Sequence, residues 1–299
     1  MTKLEQIKTY VEGIARVAPT QKAGNFVFPV LGESDGDCCL FSGLLASVGF
    51  KLGYETVLMC QGDNGMFYRS PLRRLNNNAG YDHFFSRDQA HGVLLAYVCS
   101  RDYYDQAYAG DSAKRWLNYI DNNRPCLLRK PFSKGCLIRG AYKYAPDDRS
   151  DITPTMWAMM KRVWDYNRFP RHSQMRKWEG SDGDISIFEA ENSTGYQLHL
   201  KAVQAYIKLL INQSREYSQR VGEIAHSKVP DNLFYEFLAT RKVTDTMLEK
   251  YLDMRPKHTR FGSSWLWEKE DITQERIDMS CGWDYVFLGL LLLKFYSGR

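Results

Sequence analysis

The run from Cys38 to Phe50 contains no charged residue and is apolar on nearly every face. A helix of that kind cannot lie on a protein surface, because it has no side to offer water; neighbours must surround it. The stretch opening at Ser86 and continuing through Ala90, Val93, Leu94, Ala96, Tyr97 and Val98 repeats the pattern, and so does Val286 to Leu293. The last run is too short to cross a bilayer and follows Asp284, so it reads as a third core helix. Several inner helices in one chain require an outer set to cover them.

That outer set is visible in the spacing of apolar residues. From Leu4 to Val17, Ile7, Tyr10, Val11, Ile14 and Val17 recur every three or four positions until Pro19 stops the helix. Further helices are expected over 104–123, from Thr153 and Pro154 through Trp164, over Tyr196 to Ile211, Leu233 to Ala239, Thr244 to Met254, and from near Cys281 to Tyr296. Nine or ten helices result. Phe26 to Val30 looks extended but has no evident partner, and 125–152 suits a loop or small hairpin. Residues 168–192 and 255–278 are expected to be long polar excursions, which in a compact protein usually serve function. With no fixed repeat and no low-complexity linker, the expectation is one all-α domain over residues 1–299, large enough to bury about three quarters of its unfolded surface.

Composition narrows the function. The net charge is +5, but lysine and arginine are spread along the chain, so no nucleic-acid partner is expected. The seven cysteines include the adjacent pair Cys38 and Cys39 and form neither a zinc knuckle nor an orderly disulfide set; buried thiols are expected. The start lacks the apolar core of a signal peptide, and no transmembrane helix is expected, which fits a cytoplasmic protein or one released without a classical signal. Metalloprotease, glycine-rich phosphate-loop and nucleophile-elbow motifs are missing from the sequence. The short acidic turns Asp35 to Asp37 and Asp182 to Asp184 do not complete a calcium loop. Neither a metal nor a cofactor is expected.

Polar residues gather just before the inner helices. Asp35, Gly36 and Asp37 precede the first, and Ser86, Arg87, Asp88 and Gln89 open the second. Ser86 and Gln89 have capping-box spacing, which sets Asp88 in the first turn, where backbone amides favour its charged form. Between the two lie Tyr68, Arg69, Arg73, Arg74 and His83. Glu268 and Asp284 stand before the last helix with Trp265, Trp267 and Trp283.

Apolar inner helices with polar loops meeting at one end resemble the α/α toroid, or six-hairpin, fold of many glycoside hydrolases and some polysaccharide lyases. The likeness covers most of the chain and is architectural. It implies an oligo- or polysaccharide substrate, acidic glycans included, cleaved by an acid and a base on opposite sides of the bond. Asp37 as acid and Asp88 as base are the expected pair, with Asp35 able to exchange with Asp37 and Glu268 with Asp284 in reserve. Tyr68, Arg69, Arg73 and Arg87 are expected to bind the glycan, arginine suiting a uronate. Trp265 and Trp267 offer flat faces for sugar rings, as does Trp283 unless it is wedged under the last helix. His83 would instead serve a β-eliminating lyase. The non-enzymatic alternative is a helical glycan-binding or adaptor protein.

Overall fold

The computed structural model describes residues 1–78, 85–124, 126–129, 136–144, 151–176, 183–212, 215–256 and 260–296. Among them the protein is mostly helical, with fourteen α-helices and two small antiparallel hairpins. Helix α1 (Lys3–Val17) starts at a capping box in which Thr2 Oγ1 accepts the Glu5 amide and Glu5 Oε2 accepts the Thr2 amide. Strands β1 (Thr20–Ala23) and β2 (Phe26–Pro29) then pair, with Thr20 opposite Pro29 and Ala23 opposite Phe26. The partner missing from the sequence reading is thus the segment just upstream. Gly24, at φ +61°, supplies the positive φ that so short a turn needs.

Helix α2 (Cys38–Ser47) is buried along its whole length. Fully burying Leu40, Leu44 and Leu45 contributes about 1.5–3 kcal/mol each, so this run belongs inside. Helix α3 (Lys51–Met59) turns back along it after Gly49, and α4 (Pro71–Leu75) follows with proline in its first turn. Helix α5 (Arg87–Tyr103) is buried continuously from Gln89 to Ser100 and crosses α2 with backbones touching. A Cβ on Gly92 would stand 2.1 Å from the Cys39 carbonyl oxygen, and one on Gly43 2.3 Å from the Gly92 Cα. Only glycine fits either position.

Helix α6 (Gln106–Asn122), strands β3 (Cys126–Arg129) and β4 (Cys136–Arg139), and helix α7 (Pro154–Asn167) come next. The polar stretch 168–192 is less irregular than expected, for it contains a 3-10 turn at Ser173–Arg176 and helix α8 (Gly183–Glu191). Helix α9 (Gly195–Leu210) packs on α5, and α10 (Arg215–Lys228) on both α9 and α11 (Leu233–Thr240). Helix α12 (Asp245–Asp253) leads to a 3-10 turn at Leu266–Glu268 and to α13 (Gln274–Asp278), both inside the second polar stretch. Helix α14 (Trp283–Phe295) closes the core against α1 and α2. Among the described residues no helix is long and apolar enough to cross a membrane. Cys38, Cys39, Cys60, Cys99 and Cys281 are buried free thiols, as the sequence led one to expect.

Candidate functional site

Asp37 occupies the N-cap position of α2, yet its side chain makes no capping bond. The helix end is satisfied by other groups. The Cys39 amide donates to the Arg69 carbonyl at 3.0 Å, and the Leu40 amide donates to Gln89 Oε1 at 3.2 Å. Gln89 uses its other end to donate from Nε2 to Asp37 Oδ1 at 2.8 Å. It therefore does not form the capping box expected with Ser86, whose hydroxyl has no hydrogen-bond partner among the described residues. Three-residue spacing fits a local cap, but α2 passes close enough for the longer bond to replace it. The result leaves the Asp37 carboxylate half-exposed and 3.7 Å from Arg69 Nη1.

Asp88 stands in the first turn of α5, close enough to Tyr196, in the first turn of α9, for the two to shift one another. Burial raises the Asp88 carboxyl above its ordinary range, opposed by the Tyr196 hydroxyl and by the charges of Arg87, Arg69 and Lys201. Burial also raises Asp37; the Arg69 charge opposes this, the Asp88 charge adds to it, and the Gln89 bond opposes it. Glu268 is the third member. Burial raises it as well, its pairing with Lys269 at 3.0 Å opposes this, and the charges of Asp37 and Asp284 push it further up. Tyr196 feels burial first and then Asp88, which hold its phenol well above the ordinary value and therefore protonated. Three carboxyl groups from different parts of the chain, Asp88, Asp37 and Glu268, thus all act on Tyr196.

Beside this group lies a cavity of about 760 Å³. Its walls come from the N-terminal parts of three helices: Arg87 and Asp88 of α5, Pro154 to Met156 of α7, and Gln197, Leu200 and Lys201 of α9, with Arg69 and Glu189 also reaching it. Its size falls in the range of ordinary ligand pockets. Lys201 pairs with Glu189 at 2.5 Å across the rim. Helix N-termini carry partial positive charge from unsatisfied amides, which favours the ionised form of a carboxylate placed there, but at Asp88 burial outweighs this and the carboxyl is raised, contrary to the sequence expectation. Among the described residues no group of three or more His, Cys, Asp or Glu could hold a metal ion.

The remaining expected site residues fall elsewhere. Trp265 and Trp267 are fully buried and Trp283 is 2 % exposed, so none presents a ring face to a ligand. Trp265 stacks on Phe41 at 4.3 Å between centroids, Trp267 Nε1 donates to the Asp284 carbonyl, and Trp283 Nε1 donates to the Pro19 carbonyl. Their proximity to acidic residues in sequence reflects core wedging against α14. Asp284 is buried too, accepting from the Leu266 amide, the Ser280 hydroxyl and the Tyr285 amide, which makes it a structural brace. Asp35 is committed to Ser70 at 2.5 Å and Arg73 at 2.7 Å, so neither it nor Arg73 enters the cleft. Tyr68 is buried and donates to Asn77 Oδ1. His83 lies outside the described residues. Sequence reasoning did not single out Lys201, His91 or Gln204, and it read Gln89 only as a local cap and Tyr196 only as the start of a helix. Tyr196 and Gln197 carry the signal that marked Asp88, polar residues at the mouth of an apolar helix.

No protein-family model, no curated protein and no solved structure matches this chain.

Proposed function

We propose that the protein is a glycoside hydrolase acting on a polysaccharide, with Asp37 as the acid and Asp88 as the base. One observation carries the reading: Gln89 takes over the capping of α2, so that Asp37 turns to Arg69 beside a cavity whose wall includes Asp88. A carboxylate relieved of its structural task and set beside a second one is the minimum apparatus for glycosidic cleavage. The roles follow from their surroundings. Burial raises Asp88, but Tyr196, Arg87, Arg69 and Lys201 all oppose it, and that support for the ionised form suits activation of water or attack on the sugar. Burial, with the Asp88 charge adding to it against Arg69, keeps a proton on Asp37 to higher pH, which suits protonation of the leaving oxygen. Glu268, raised by burial and further by Asp37, is the substitute acid.

The toroid arrangement remains part of this proposal. It is supported by α2, α5 and α14 being buried nearly all round, and by polar first turns of α5, α7 and α9 meeting at one cavity. Arg69, Arg87 and Lys201 at that cavity support acidic glycans as substrates.

The test is a product assay on neutral and acidic glycans that reads reducing ends and unsaturated-uronate absorbance together. New reducing ends without unsaturation, lost in Asp37→Asn and Asp88→Asn, are the expected result. Turnover surviving both substitutions would refute the assignment. Unsaturated products would establish a lyase, and binding without turnover on any glycan would establish a carbohydrate-binding protein.

A further inference from the structure

Helices α5, α7 and α9, whose N-terminal parts wall the first cavity, end at a second one of about 440 Å³. The two share no lining residue, and Asp88 and Asp102, one at each, stand about 21 Å apart along the α5 axis. The second cavity also falls in the size range of small-molecule sites. Its apolar wall is made by Tyr103 of α5, Tyr166 of α7, and Leu209 and Leu210 of α9. Tyr103 leaves 45 % of its surface open to water. Two cations stand at the same wall. Arg241, just past α11, donates one N–H to Gln219 Oε1. Lys294, in the last turn of α14, donates to the Ser47 carbonyl at 2.9 Å and lies 4.8 Å from the centroid of the Tyr103 ring. Neither cation makes an ion pair among the described residues, although Asp102 lines the cavity as well.

The partial negative charge of nearby helix ends offsets a full cation only in part. Arg241 also sits where its backbone disfavours it. Its φ is +54°, at the residue that closes α11, a place where glycine carries no steric penalty and arginine does. We infer that this second cavity binds a small organic anion, a carboxylate or phosphate carried on an apolar ring, with Arg241 and Lys294 holding the anionic group and Tyr103 and the two leucines packing on the ring. A guanidinium fork can take either head group through paired N–H bonds. A ligand amine would be repelled by both cations, and a neutral ring would leave their charges unanswered. The site does not depend on the glycan reading, because none of its residues belongs to the first cavity.

The experiment is isothermal titration calorimetry on the full chain with benzoate, phenyl phosphate, benzyl alcohol, benzylamine and inorganic phosphate as probes. Benzoate or phenyl phosphate is expected to bind at least tenfold more tightly than the other three, and the better of the two identifies the head group. Arg241→Gly should weaken that probe tenfold or more while the urea midpoint holds, since glycine relieves the positive φ. Lys294→Met, which keeps the apolar stem and removes the charge, should weaken it similarly. The inference would be overturned if neither ring anion bound, if benzyl alcohol, benzylamine or inorganic phosphate bound as tightly, or if a folded Arg241→Gly protein bound unchanged. Binding lost in Arg87→Gln but kept in Arg241→Gly would place the probe in the first cavity and overturn it too. Should a variant fail to fold, the ranking of the five probes on the unaltered protein decides. Turnover of glycans is not read in any of these titrations, so failure here and failure of the hydrolase reading are separate results.

Discussion

Replacing Gly92 by alanine asks whether the touching crossing of α2 and α5 holds the two helix mouths in place. The added Cβ would lie 2.1 Å from the Cys39 carbonyl oxygen and 2.7 Å from the Leu40 Cα, whereas ordinary contact begins at 3.4 Å. The helices must part by about an ångström, because both obstacles are backbone atoms of a buried helix and cannot swing aside. Overpacking of this kind costs about 1–3 kcal/mol, and rigid obstacles place Gly92→Ala at the upper end. The opening also pulls on Gln89, one turn away, whose two bonds join α5 to Leu40 and Asp37. A misplacement near an ångström lowers turnover on the order of 100-fold. Urea unfolding followed by tryptophan fluorescence reads the stability, with Gly13→Ala as control. Gly13 lies exposed inside α1 with nothing within 4 Å of its added Cβ, so that alanine should stabilise by about 0.5–1 kcal/mol. If Gly92→Ala matched the parent protein, or moved with Gly13→Ala, the close crossing would be refuted.

Gln89→Leu should leave the Leu40 amide buried without its acceptor, a loss of about 1–3 kcal/mol, and should lower turnover more than substrate binding, as steady-state kinetics would read. Asp284→Ala strands the Leu266, Ser280 and Tyr285 donors and should lower the urea midpoint. Burial lifts Asp284 from 3.8 to about 6. Its stabilising contribution is therefore complete below pH 3.8 and declines as pH rises through 6, so the alanine variant should lose more stability at pH 4 than at pH 7; an equal loss at both would contradict this. Arg69→Leu removes a charge that lowers both Asp37 and Asp88. Both limbs of the pH-rate profile should move to higher pH, and an unmoved profile would separate Arg69 from the reacting carboxyls.

The inner helices were legible because burial on all sides leaves a plain record in residue type, and α2, α5 and α14 needed no other signal. Asp37 and Asp88 could be singled out for the same reason: each precedes or opens such a helix. What brings them together was not legible, since glycine at 43 and 92 says nothing about which partner it approaches. The second hairpin strand was missed because Thr20 to Ala23 has no alternation of its own and pairs only through the turn at Gly24. Helix α10 was missed because its charges mask a modest apolar stripe. The tryptophans misled for a different reason. A tryptophan in a polar loop and one wedged under a core helix look alike in sequence, and here Trp265, Trp267 and Trp283 are all of the second kind. Gln89 shows the limit most clearly, because its spacing from Ser86 satisfied a local rule that a neighbouring helix then overrode.

Gln89 also couples three positions in heredity. Any substitution there changes the hydrogen bonding of Leu40 and Asp37 at once, so a tolerated replacement requires a second change that either caps α2 anew or restrains the acid by another route. Descendants of this chain should therefore vary at 37 and 89 together or at neither.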